Sequence, residues 1–322
     1  MCKVIGIDIS KQTFDVAFKK EERWIHLICK NEKKGFKELL KHLTKGSHIV
    51  MEASGPYYLQ LATYLYTQSI KVSVVNPLVI RRYSQMKLLR AKTDKKDAQT
   101  IAQYGMDQKP KLWQPQDEAV IEIRQIHSVL EMIEKQKRQT KNQLEAFKSS
   151  GIICKEVQKE LKQQISTLER REVRLEKRMN ELAKQEYADT LTRLESIPGI
   201  GKKTAIMLTV ITNNFKNFDT HKQLIAYVGF SPRKYESGTS VRGRGHICKM
   251  GKAQIRKLLY LCSWSAKKCN KNCIEMYNRL KEKGKPERVI KIALANKLLK
   301  QAFAIGKYQR IYNENFQLNT CF

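Results

Sequence analysis

Apolar residues in the first third of the chain fall into short runs that alternate with helical spacings. Residues 4–9 (Val4-Ile5-Gly6-Ile7-Asp8-Ile9), 13–18 and 24–28 have the length and the β-branched or aromatic content of strands, the first two joined by the polar Ser10-Lys11-Gln12. Phe36, Leu39, Leu40 and Leu43 then recur at three- and four-residue intervals, predicting a helix over 33–43. A strand over 49–51, a helix over 59–66 and a strand over 72–75 follow, the last ending at Asn76-Pro77. A further helix starts at Thr93, whose hydroxyl is placed to cap it, with Asp94 in the first turn where the helix dipole favours a negative charge.

Three strands followed by helix, strand, helix, strand and helix is the order of an α/β domain of the ribonuclease-H type, assigned here to residues 1–110. Over 115–190 the pattern changes. Ala119, Ile123, Ile126, Leu130, Ile133, Leu144 and Phe147 lie on an alternating four-three spacing, and after Ser149-Ser150-Gly151 so do Leu161, Ile165, Leu168, Leu175, Met179 and Leu182. This predicts a long coiled-coil helical hairpin. Lys137, Thr140 and Glu172 interrupt the seam, as polar residues do where they specify an oligomer; a spacer within one chain is the alternative.

Residues 191–322 read as a third, mostly helical domain. Leu194-Glu195-Ser196-Ile197-Pro198-Gly199-Ile200-Gly201-Lys202-Lys203-Thr204-Ala205 has the form of a helix-hairpin-helix. Its turn amides, with Lys202 and Lys203 at a helix start, are candidates to hold a nucleic-acid phosphate, though a purely structural turn would look the same. Basic amphipathic helices are predicted over 252–268 and 288–303.

Composition sharpens this picture. The chain of 322 residues carries 62 Lys+Arg against 31 Asp+Glu, a formal net charge of +31 spread over its whole length, which points to a polyanionic partner. A hydrophobic content of 41% argues against disorder. No apolar run approaches the roughly 20 residues of a membrane span, and the first residues lack the apolar core of a signal peptide. Eight cysteines form no CxxC pair, and Cys269 and Cys273 have no histidine beside them to complete a zinc site. Reduced thiols in a cytoplasmic protein that handles DNA or RNA are expected.

Within this basic chain, four acids end or begin predicted elements: Asp8 and Glu52 close strands, and Asp94 and Asp97 lie three apart in the first turn of a helix. Carboxylates converging from separate elements are what a pair of divalent ions such as Mg²⁺ needs to grip a phosphodiester. Solvated acids within lysine-rich helix starts are the competing account. Residues 233–257 hold eight Lys or Arg and a single acid, interleaved with Gly and Ser and without a periodic apolar face, so this stretch reads as a loop. Arg233, Arg242, Arg244 and Lys249 are its candidate phosphate contacts. One of the hydroxyls of Ser237, Thr239 and Ser240 could act as a nucleophile, and the residues alone do not choose among them.

The motifs together resemble one family. Gly6-Ile7-Asp8-Ile9-Ser10-Lys11, Met51-Glu52-Ala53-Ser54-Gly55 and Lys92-Thr93-Asp94-Lys95-Lys96-Asp97-Ala98 resemble the three blocks of the DEDD transposases of bacterial insertion sequences. Pro198-Gly199-Ile200-Gly201, Tyr227-Val228-Gly229-Phe230-Ser231-Pro232, Ser237-Gly238 and Gly245-His246-Ile247-Cys248-Lys249-Met250-Gly251 resemble the C-terminal domain of the same family. Cys248 stands where the family often has Ser or Thr. The resemblance implies a RuvC-like N-terminal domain with Asp8, Glu52, Asp94 and Asp97 as the metal-binding set, and Ser237 as the nucleophile. It further implies recombination of donor and target DNA guided by a structured bridge RNA, and a dimer assembling to a tetramer whose sites join acids and serine from different subunits. A junction resolvase using metal-activated water and a non-catalytic nucleic-acid-binding protein are the alternatives.

Overall fold

Period-two alternation builds a mixed five-stranded sheet of order β3-β2-β1-β4-β5 from β1 (Val4–Ile9), β2 (Thr13–Lys20), β3 (Arg23–Lys30), β4 (His48–Glu52) and β5 (Lys71–Val75). The first three strands are antiparallel neighbours, whereas β1, β4 and β5 run parallel. The structure is a computed structural model and describes residues 3–314 except Glu22, Lys45, 90–92, Lys234, Tyr235, 238–240 and Arg244; residues 236, 237, 241 and 242 are described by their backbone alone. The chain divides into two units, Met1–Gln116 and Asp117–Phe322.

In the first unit, Ile5, Ile7, Ile9, Phe14, Val16 and Phe18 project from one face of the sheet into a core closed by α1 (Lys33–Leu40) and α2 (Tyr58–Thr67) through Phe36, Leu39, Leu61 and Leu65. The opposite face is covered by α3 (Pro77–Met86) and α4 (Asp94–Gln108), with Val50, Val75, Ile80 and Ile101 packed between. The strand ends at Asn76-Pro77 as its pattern predicts, but the same dipeptide also starts α3, a helix the hydrophobic pattern does not predict: the Asn76 side chain accepts a hydrogen bond from the Leu78 amide at 2.9 Å. Pro77, which has no N–H to leave unpaired, sits in the first turn.

The second unit opens with α5 (Glu118–Ser149) and α6 (Lys155–Glu195), which pack against each other as an antiparallel helical hairpin. Val120, Ile123, Leu130 and Ile133 on α5 and Leu168, Met179 and Leu182 on α6 are buried. Two of the polar interruptions answer each other, since Lys137 and Glu172 form an ion pair within the hairpin. Both helices share a hydrophobic core with α7 (Lys202–Thr212), α8 (His221–Val228), α9 (Ala253–Cys269), α10 (Lys271–Glu282) and α11 (Glu287–Tyr308). The turn from α6 to α7 needs Gly199, whose φ of +100° brings its Cα so close to α9 that an added Cβ would lie 2.7 Å from the Cβ of Ala266.

Between α8 and α9 the stretch read as an irregular loop contains two short antiparallel ladders. β6 (Pro232–Arg233) pairs with β9 (His246–Ile247), and inside them β7 (Glu236–Ser237) pairs with β8 (Val241–Arg242). Strands of two residues are too short to show an alternation, so their pairing leaves no trace in the hydrophobic pattern. At the base of this arm the Cys248 amide donates to Ser231 O at 2.8 Å and the Lys249 amide to Gly229 O at 3.1 Å.

Candidate active site

The site grows from the way α4 lies on β1. Gly6 offers no side chain, and a Cβ there would come within 2.2 Å of Ala98 O and 2.3 Å of Ala102 N. Ala98, Ala102 and Gly105 form the matching small stripe on α4, and a Cβ on Gly105 would meet Val50 and Val4. Close approach of backbone to backbone sets the first turn of α4 near the carboxyl end of β1. There Thr93 caps the helix, accepting from the Lys96 amide at 3.3 Å, and places Asp94 and Asp97 in the first turn.

Asp8 shares the face of Gly6 by alternation, so it projects toward the α4 side. Ile7 of β1 registers with Met51 of the parallel β4, so Asp8 and Glu52 are side by side at the carboxyl ends of adjacent strands. Glu52 is half-buried, and the Ser54 hydroxyl donates to its Oε1 at 2.9 Å. Asp97 is half-buried and Asp94 exposed. The Asp8 carboxyl is pushed up to about 6, by burial first and then by the negative charges of Asp97, Glu52, Asp94 and Asp15. Carboxylates from four separate elements thus share one electrostatic neighbourhood.

An all-carboxylate oxygen set with surplus negative charge fits a hard divalent cation in donor type and in charge. Spacing is another matter. Among the described residues no three His, Cys, Asp or Glu side chains stand together closely enough to hold a metal ion. The acids share a field and not a coordination sphere, and contraction would fall to side-chain rotation, for which exposed Asp94 has room.

Two further residues belong to this face and escaped the sequence reading. Asp15 of β2 is registered directly opposite Asp8, and its Oδ1 lies 2.6 Å from Nε2 of His26 on β3. The signal was a lone acid inside the otherwise apolar Phe14-Asp15-Val16-Ala17-Phe18, one hairpin away from Asp8.

The second unit carries the other predicted residues. Lys202 is exposed at the start of α7. Lys203 is engaged within the protein instead: its Nζ donates to Oε1 of Glu134 on α5 at 2.8 Å, and Glu134 is held below the usual carboxylate range chiefly by that hydrogen bond. The spacing of a turn motif cannot reveal an acid presented by a distant helix. Arg233 is exposed on β6 and Lys249 is exposed with a φ of +59°. Ser237 and Arg242 lie in the inner ladder, Ser237 opposite Val241. Arg244, Thr239 and Ser240 lie outside the described residues. Among the described residues no helix is long and apolar enough to cross a membrane.

A small-residue seat sets a helix that carries two acids over strand ends that carry two more, and comparison with known proteins places the chain. One profile, described as a transposase, matches residues 5–147, and a second, described as the transposase IS116/IS110/IS902 family, matches residues 191–278. The chain is 30% identical over 318 residues to the pilin gene-inverting protein of Moraxella lacunata, a match covering 96% of this chain and 97% of that protein. The pilin gene-inverting protein of Moraxella bovis is equally similar, at 30% over the same shares. The transposase for insertion sequence element IS1111A of Coxiella burnetii is 22% identical over 80% of this chain and 76% of its own length. The chain belongs to the IS116/IS110/IS902 family of transposases.

Proposed function

We propose that this protein recombines insertion-sequence DNA through a cation-dependent site on the first unit and a serine on the second. The observation that carries the reading is the placing of Glu52, Asp94 and Asp97 around the half-buried Asp8 by strand register and by the seat of α4, in a chain of net charge +31. Asp8, Glu52, Asp94 and Asp97 would hold Mg²⁺, two ions for a site of this kind, which when bound neutralise charge on the phosphate under attack. Glu52, steadied by Ser54, and Asp97, set by the capped turn of α4, orient the scissile phosphate against Asp8.

Ser237 supplies the nucleophile in this reading. Its Oγ forms a bond to phosphorus as the P–O3′ bond breaks; the hydroxyl proton leaves and the departing 3′-oxygen gains one. The phosphoserine conserves the phosphodiester energy, and the 3′-hydroxyl of the partner strand reseals it by the reverse step. Arg233, Arg242, Arg244, Lys249 and Lys202 grip the flanking phosphates, and Lys203 joins them only after releasing Glu134. The family resemblance adds a RuvC-like ribonuclease-H fold for the first unit, a bridge RNA that selects donor and target, and a dimer or tetramer built on the coiled-coil hairpin. The Moraxella relatives, named for inverting a pilin gene, suggest that the same exchange can invert a segment as well as move one.

Denaturing gels of the protein incubated with element-end DNA test the nucleophile. A covalent protein–DNA adduct with the parent protein and its loss in Ser237→Ala are expected. Cleavage that proceeds normally in Ser237→Ala with no adduct in either protein would instead establish water as the nucleophile.

A further inference from the structure

The geometry points to Asp15 and His26 as a positioning pair for the Asp8 centre, with Asp15 a carboxylate that the reaction needs and the fold does not. This inference rests on the reading of Asp8 as a cation-holding residue.

Register carries it. Asp8 and Asp15 are direct partners across the antiparallel β1–β2 pair, so their side chains leave the same face of the sheet with Cβ atoms about 5 Å apart. Like charges directly opposite each other destabilise a sheet. The neighbours of Asp15 on β2, Phe14 and Val16, are buried and apolar, and nothing in the packing of the strand calls for an acid between them. A residue that costs stability at a half-buried strand position beside the site is the kind of local conflict that function explains.

His26 shows that the position of this charge is controlled. On β3 it is registered opposite Ala17, not opposite Asp15, and reaches diagonally past that small side chain to Oδ1 of Asp15 at 2.6 Å. The two side chains are 19% and 13% exposed, so the hydrogen bond is sheltered and both rotamers are constrained. One oxygen of Asp15 is thereby committed to the imidazole. The carboxylate so fixed lies across the β1–β2 ladder from Asp8, with Glu52 on the other side of Asp8 in the sheet, so the Asp8 carboxylate is flanked in the plane of the strands and left to extend over the face toward α4. Asp15 is the weakest of the four acids that act on Asp8, and it adds to the field that attracts a cation there.

Full-length Asp15→Asn, His26→Gln and His26→Ala proteins test the pair beside Asp8→Asn. Two readings are made for each: thermal unfolding without divalent ions and over a Mg²⁺ titration, and strand transfer on element-end DNA at limiting and saturating Mg²⁺. Asp15→Asn is expected to unfold at the same or a higher temperature than the parent without divalent ions. Its Mg²⁺-induced rise in Tm should be smaller, and its strand transfer at limiting Mg²⁺ at least tenfold slower, with partial recovery at saturation. His26→Ala should follow Asp15→Asn, and His26→Gln, which keeps a donor, should recover most of the rate. A merely structural role would lower Tm and activity together at every Mg²⁺ concentration, and that result overturns the inference. So does an Asp15→Asn protein with the parent's Mg²⁺ response. If Asp8→Asn itself recombines normally, the underlying reading fails; if Asp8→Asn is inactive while Asp15→Asn behaves as the parent, only the pair is refuted.

Discussion

Asp8 shows how much of the site is held in single residues. It closes an apolar run that any reading of strands would find, and the three acids placed around it were legible for the same reason: each ends a visible strand or follows a visible helix cap. Asp15 was not legible, because its relation to Asp8 exists only in the pairing register of two strands. Lys203 was legible as a cation but not as one already bound, since its partner Glu134 lies 69 residues away in sequence. The raised pKa of Asp8 carries a stability consequence. With a folded value of about 6 against about 3.9 in an unfolded chain, the folded state holds the proton more tightly. Stability that is fully present below about pH 4 is therefore lost as pH rises through 6. Without divalent ions, Asp8→Asn should be more stable than the parent at pH 8 by about 1–2 kcal/mol once solvent screening is allowed for. Thermal unfolding from pH 8 down to pH 5 should show that gap narrowing. A gap that is constant, or of opposite sign, would mean that the carboxylates are not gathered.

Among the elements, α4 on β1 matters most. The strands, the Thr93 cap and the apolar spacing of the hairpin showed in the sequence, including the interruptions Lys137 and Glu172, although only the structure pairs those two. Helices α3, α8 and α10 and the ladders of the 232–247 arm did not, α3 because Asn-Pro serves strand ends and helix starts alike, the ladders because two-residue strands carry no period. The seat of α4 was half visible: Gly6, Ala98, Ala102 and Gly105 are plain in the sequence, but their apposition is not. Gly6→Ala would drive a Cβ into the backbone of α4 at 2.2 Å, where no side chain can yield. We expect a loss of about 1–3 kcal/mol, read as a fall in Tm of several degrees, with strand transfer reduced further because Asp94 and Asp97 move with the helix. An unchanged Tm would show that α4 does not rest on β1 in this way.

At the scale of the whole molecule, charge and family agree. A net charge of +31 suits a transposase that acts on DNA, and it makes a group of neighbouring acids stand out against its surroundings. What composition could never supply is the convergence of residues 8, 52, 94 and 97, since that depends on a parallel strand pair and on a helix returning over them. In the proposed function these four act as one cation-dependent centre. Strand-transfer rates in Mg²⁺ for Asp8→Asn, Glu52→Gln, Asp94→Asn and Asp97→Asn, each verified as folded, test it most directly. Every one of these rates should fall at least a hundredfold, a loss of about 2.7 kcal/mol or more in transition-state stabilisation; parent-like rates in any two would show that the four acids do not form a shared centre.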